Sequence, residues 1–202
     1  MQDVLDILAS GIHDTKNQLF SAEALIAASE AQHEVDLSEI RYAIESAAER
    51  LSRTLVAYRL MRDGTQLAVV PTIVADLCAE VELAQKHHLE KAGLRLTIAC
   101  QALDDWPLDR DLVSDMLNNA IQNAGRVARH EIRLSAIESD DVLILRVEDD
   151  GPGFSCLPPT DGTGLKVASR LAELHRRKDR CGKLMLGNDS LLGGARFELQ
   201  LP

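Results

Sequence analysis

The chain has 202 residues, room for one large domain or two small ones, and its 46% hydrophobic and 27% charged residues exclude a disordered or fibrous protein. Thirty-two acids against 22 bases give a net charge of -10, and aromatics are only 3%, which argues against a nucleic-acid or membrane-surface binder. No apolar run reaches the roughly 18 residues needed to cross a bilayer. The start MQDVLDILASGIHD lacks a basic leader, so a cytoplasmic location is expected. The four cysteines, Cys78, Cys100, Cys156 and Cys181, form no CxxC pair and read as reduced, mostly buried thiols.

Residues 1–62 hold one glycine, Gly11, and no proline; the composition changes near Gly64. Before that point apolar or small residues recur at alternating steps of three and four. One run is Leu8, Ile12, Thr15, Leu19, Ala22 and Ile26; the other is Leu37, Ile40, Ile44, Ala47, Leu51, Thr54, Tyr58 and Met61. The spacing predicts two long helices joined by the polar stretch from Glu30 to Asp36, an antiparallel hairpin over residues 1–64. A lone hairpin leaves its apolar stripe in water. Pairing two copies into a four-helix bundle removes it, at about 0.8 kcal/mol per buried methylene, so a homodimer through this segment is expected. Packing of the hairpin on its own C-terminal domain is the alternative.

Residues 65–202 read as a second domain. The patterns predict a helix from Thr72 to about Lys91, stopped by Gly93, and a strand from Leu94 to Cys100. A helix capped by Asp109 or its neighbour should run to about Arg129, followed by strands over Glu131 to Ile137 and Val142 to Glu148. A helix from Leu165 to Arg177 and strands from Lys183 to Leu186 and Arg196 to Leu201 complete it. The fold class is α+β: a helical hairpin, then an α/β domain with helices on one face of a mixed sheet. No length remains for a third domain.

Four motifs carry candidate chemistry. In GIHDTKNQL, His13 and Asn17 share a helical face with Asp14 adjacent, where a neutral imidazole nitrogen can attack a phosphoryl group; an exposed surface histidine is the plain alternative. His33, His87, His88, His130 and His175 have no such company and read as surface residues. In LNNAIQNAGRVA, Asn119 and Asn123 lie four apart with Arg126 three further on; amide oxygens suit magnesium and the guanidinium suits phosphate, though a solvated polar stripe gives the same pattern. In DVLILRVEDDGPGF a strand runs into Asp149 and the turn of Gly151 and Gly153, a bare backbone beside a carboxylate that can accept from a purine amine. Alone it is as readily a plain turn. In DGTGLKVASRL, Gly162 and Gly164 precede an apolar-periodic helix whose free amides can hold a phosphate.

The order of these motifs, closing on GGARFELQLP, resembles the core of bacterial two-component sensor histidine kinases: a dimerisation and phosphotransfer hairpin followed by a GHKL-type (Bergerat) ATP-binding domain. HDTKNQL is similar to the family's H-box, LNNAIQNAGR to the N-box, EDDGPGF to the G1 box and GTGL, ending at Leu165, to the G2 box. The resemblance implies ATP and Mg2+ as cofactors, His13 as phosphoacceptor with Asp14 assisting, and Asn17 as the residue that orients water to dephosphorylate a response regulator. It implies that Asn123, with Asn119 one turn earlier, coordinates magnesium and that Asp149 reads adenine in a pocket shaped by Gly151 and Gly153. Gly162 and Gly164 would face the phosphates.

Two departures stand out. Only SCLPPTD separates Phe154 from Gly162, a short lid with no phenylalanine-containing F-box, and Lys166 stands where many relatives have glycine. No sensor, receiver or membrane segment is recognisable, so input is expected in trans, from a separate partner. The expected activity is autophosphorylation of His13 from Mg-ATP and transfer to a receiver-domain aspartate. Alternatives are a relay or adaptor protein that no longer uses ATP, and a protein acting mainly as a phosphatase. A serine kinase of the anti-sigma type shares the ATP fold but has no need of His13 on a dimer hairpin.

Overall fold

The computed structural model describes residues 67–102, 104–157 and 163–202, with backbone alone at residues 163 and 164. Before residue 67 it describes Gly11, Thr15, 18–19, 21–22, 25–30, 32–33, 35–37, 39–44, 47–48 and Leu51. The chain divides into two compact units, Met1–Thr65 and Gln66–Pro202. In the first, residues 25–30 and 39–44 are helical and 35–37 are not. Glu30 ties these pieces together: its Oε1 accepts from Leu37 N at 2.8 Å and its Oε2 from Arg41 Nη1 at 3.0 Å. The expected pairing of the two helices and the dimeric bundle fall on residues outside those described.

The second unit contains β1 (Val69–Ile73), α1 (Val74–Lys91), β2 (Arg95–Cys100), β3 (Asp105–Asp109), α2 (Arg110–Gly125), β4 (Glu131–Ser139) and β5 (Val142–Asp149). It continues with α3 (Thr163–Leu174), β6 (Arg176–Arg177), β7 (Arg180–Cys181), β8 (Lys183–Gly187) and β9 (Arg196–Leu201). Five strands form one sheet in the order β2-β4-β5-β9-β8, with β2 and β4 parallel and the other pairs antiparallel. The sheet is mixed, and the fold is α+β.

Strand periodicity sorts the side chains. Ile132, Leu134 and Ala136 of β4 are buried beside Val147, Leu145 and Leu143 of β5 and Phe197, Leu199 and Leu201 of β9, forming the face on which the helices pack. The helices contribute Leu77, Val81 and Leu89 from α1, Leu112, Val113, Met116, Leu117 and Ile121 from α2, and Ala168, Leu171 and Ala172 from α3. The opposite face places Arg133 across from Glu148 and Arg146 across from Glu198. Glu148 and Asp149, adjacent in sequence, therefore serve opposite faces, and only Asp149 turns toward the helical layer.

Four short strands were not expected. β1 and β3 pair antiparallel, with Pro71 opposite Pro107, two residues that have no N–H for the ladder; this disguises both as strands. The expected helix start at Thr72 consequently moves to Val74. β6 and β7 form a tight hairpin where the last turn of α3 was expected, Lys178 taking φ 54° in the turn. α2 stops at Gly125 rather than near Arg129 because the amides of Arg129 and His130 are taken by the Asp150 carboxylate, at 2.7 and 3.1 Å. Asp109 does cap α2, accepting from Leu112 N at 3.2 Å, while its other oxygen accepts from Ala68 N at 2.9 Å.

Two expectations about side chains are corrected. Of the cysteines only Cys78 is buried; Cys100 is half-buried, and Cys156 and Cys181 are exposed because they lie in the segment after the glycine turn and on the surface hairpin. Burial, with the Cys100 thiol adjacent, pushes the Cys78 thiol up to about 12, so it is an inert core residue. His175 is not a surface residue but 3% exposed, with both ring nitrogens bonded to the backbone.

Candidate functional site

The site is built around the end of β5. Asp149 is 3% exposed, and its Oδ1 accepts from Gly151 N at 2.8 Å and Ala195 N at 3.2 Å. Among the described residues no partner engages Oδ2. A buried carboxylate held through one oxygen and free at the other is a preorganised acceptor, since its orientation is already set before a ligand donor arrives. The backbone is held as well: Asp149 O accepts from Ser190 Oγ at 3.0 Å and Gly194 N at 2.9 Å.

The glycines allow this closeness. A Cβ on Gly151 would lie 2.7 Å from Val127 O and 2.9 Å from Asp149 Oδ1, so the turn packs directly on the segment that leaves α2. Gly153 has φ 76°, a left-handed conformation open to glycine at little cost. Asp150 reinforces the junction by accepting the amides of Arg129 and His130. Burial opposes ionisation there, but those amides hold its carboxyl below the usual carboxylate range. The C-terminal end of α2 and the glycine turn, two separate motifs in the sequence, are thereby joined.

Asn119 and Asn123 lie on α2, Asn119 buried and Asn123 exposed, and Arg126 is exposed at the C-cap. Among the described residues no group of three or more His, Cys, Asp or Glu side chains is placed to hold a metal. The Asn123 amide is a suitable hard donor, and a magnesium ion there would need the oxygens of a phosphate ligand or water to complete its shell. Gly164 falls within the first turn of α3, followed by half-buried Leu165 and exposed Lys166, so the helix begins at Thr163, earlier than expected. Gly162 lies outside the described residues, as do His13, Asp14 and Asn17.

Of residues 188–195, only Gly193, Gly194 and Ala195 fall in an expected motif, GGARFELQLP, and none of the eight was assigned to the site. Ser190, Gly194 and Ala195 grip Asp149, Leu191 N donates to Glu148 Oε1 at 2.9 Å, and Asn188 bonds to Phe154. For Asn188 to Leu192 the sequence signal is the loop composition NDSLLGG between two strands, which marks a turn and not its partner.

No family model matches the chain. The sensor protein kinase CarS of Pseudomonas aeruginosa is 28% identical over 94% of this chain and 44% of its own length. The sensor protein PhoQ of Escherichia coli strain K12 is 27% identical over 69% of this chain and 30% of its own length. The chain thus spans less than half the length of these relatives. The solved structure of the Acinetobacter baumannii histidine kinase AdeS superposes with a TM-score of 0.64 at 17% identity, covering 92% of this chain and 95% of that one, and shows a shared fold. The motif order, the fold and these similarities converge: the chain has the fold of a histidine kinase catalytic core and is homologous to parts of the sensor kinases CarS and PhoQ.

Proposed function

We propose that this core binds Mg-ATP at the Asp149 site, autophosphorylates His13 and passes the phosphoryl group to an aspartate of a response-regulator receiver domain. The observation that carries the nucleotide reading is the Asp149 carboxylate, buried, anchored by two amides through Oδ1 and with Oδ2 unengaged among the described residues. That oxygen suits the exocyclic amine of adenine, and the bare backbone of Gly151 lets a flat base approach.

Around it, Asn123 and Asn119 would serve magnesium, Arg126 the phosphate oxygens, and Gly162, Gly164 and Leu165 the G2 turn. Bound magnesium supplies neutralisation of phosphate charge. His13 receives the γ-phosphoryl on a neutral ring nitrogen as the bond to ADP breaks, and Asp14 takes the proton from the other nitrogen. Asn17 would orient water in the reverse, phosphatase direction. The hairpin is proposed to dimerise.

Incubation with γ-labelled ATP and magnesium tests this. Acid-labile label is expected in the wild type and not in His13→Ala or Asn123→Ala. Wild-type protein that binds no nucleotide and takes label only from a phosphorylated receiver would instead establish the relay reading.

A further inference from the structure

The chain leaves the glycine turn through a clamp that none of the expected motifs contains. Asn188, in the loop between β8 and β9, donates from Nδ2 to Phe154 O at 2.8 Å and accepts at Oδ1 from Phe154 N at 2.7 Å. Its carboxamide thus satisfies both main-chain groups of one residue, as a neighbouring strand would. Aspartate has no donor for the carbonyl, and serine cannot reach both groups at once. Gly153 is fitted to this partner: a Cβ there would lie 2.8 Å from Asn188 Oδ1 and 3.0 Å from Asn188 Cγ.

The same loop grips the other end of the turn through Ser190, Gly194 and Ala195 on Asp149. Residues 149 to 154 are therefore held at both ends by one loop, with Gly151 between them bonded to Asp149 Oδ1 and packed on Val127. The Asn188 bonds are exposed, and exposed hydrogen bonds add little to global stability because water replaces them readily. Their effect falls on the position of the turn.

We propose that Asn188 is a positioning residue for nucleotide: by fixing the Phe154 backbone it holds the Gly151–Gly153 turn at the distance from Asp149 that admits a purine. The proposal rests on the nucleotide reading of Asp149. Acting on the purine end, Asn188 serves ATP and ADP alike and does not touch the transferred phosphoryl group.

The test is calorimetric titration of the full chain with Mg-ATP and with Mg-ADP, together with autophosphorylation rates and thermal unfolding, for wild type, Asn188→Ala and Asn188→Asp. Asn188→Ala is expected to weaken both nucleotides by the same factor, about threefold to tenfold, the effect of one to two net hydrogen bonds, and to raise KM with little change in kcat. Asn188→Asp, which keeps the bond from Phe154 N but sets a carboxylate against Phe154 O, is expected to weaken both nucleotides as well. Unchanged affinity in both folded variants overturns the proposal and leaves the Asp149 reading standing. A loss confined to ATP, or loss of folding in Asn188→Ala, also overturns it. Wild-type protein that binds neither nucleotide removes both readings.

Discussion

The imidazole Nε2 of His175 accepts a hydrogen bond from the backbone N–H of Asp109 at 3.2 Å, while Nδ1 faces Leu171 O at 3.1 Å. The first contact ties the end of α3 to the N-cap of α2 and selects the neutral tautomer that carries its proton on Nδ1. A proton on Nε2 would point at an N–H. Burial lowers the pKa of His175 below 6.5, opposed in part by its bond to Leu171 and by the charge of Asp109.

A pH dependence follows from that contact. Above 6.5 the folded and unfolded states are both neutral at this residue and its contribution is complete. As pH falls below 6.5 the unfolded chain takes up a proton that the folded chain refuses, so stability declines until the folded value is reached. Urea unfolding of the wild type should show midpoints falling from pH 7.5 toward 5.5. His175→Gln should be weaker at pH 7.5 by about 1–3 kcal/mol, with that slope reduced. An unchanged slope would remove His175 as its source.

Asp149→Asn keeps the shape and an oxygen for the amides of Gly151 and Ala195, but presents an NH2 group where Oδ2 stood. A donor then faces the purine amine. The variant should fold with wild-type unfolding behaviour and lose roughly tenfold to a hundredfold in Mg-ATP affinity by calorimetry. Wild-type affinity in this variant would exclude Asp149 as the purine reader.

Gly151→Ala places a methyl 2.7 Å from Val127 O, a backbone atom that cannot swing aside. The expected cost is about 1–3 kcal/mol of stability, as in other overpacked sites, together with weakened nucleotide binding. Chemical denaturation and titration of the same sample check both.

Glu198 is 2% exposed on the outer sheet face and accepts from Arg146 Nε and Arg196 Nη1 on Oε2, each at 2.6 Å, and from Gln200 Nε2 on Oε1 at 2.6 Å. Burial pushes its pKa up, but the hydrogen bonds from Arg146 and Gln200 and the arginine charges hold it below 4.5. This contribution is present above 4.5 and lost as pH falls through the lower folded value. Glu198→Gln should cost about 1–3 kcal/mol at pH 7, less than for a wholly buried pair because the arginines keep some solvent, and should remove part of the acid sensitivity. Equilibrium unfolding at pH 7 and pH 4 measures both.

Much of the second unit was legible in its sequence because strong periodicity survives any tertiary context. The alternation in β4 and β5, the apolar spacing of α2 and the run of β9 appear within a residue or two of their expected positions, apart from the C-terminal end of α2. The misses share one cause. β1, β3 and the hairpin of β6 and β7 are short, carry proline or charge, and exist through pairing with a distant or turn-linked partner rather than through their own pattern.

The candidate site divides along the same line. Sequence alone determined the chemistry within reach: a strand ending in Asp149, glycines that bare the backbone, and amides spaced along a helix, since residue type and local spacing set which donors and acceptors exist. Only the tertiary structure decided how they are held. It set Val127 against Gly151 and brought Asn188 to Phe154 from 34 residues away. Those choices depend on strand register and loop closure, which are properties of the packed chain and leave no periodic trace along it.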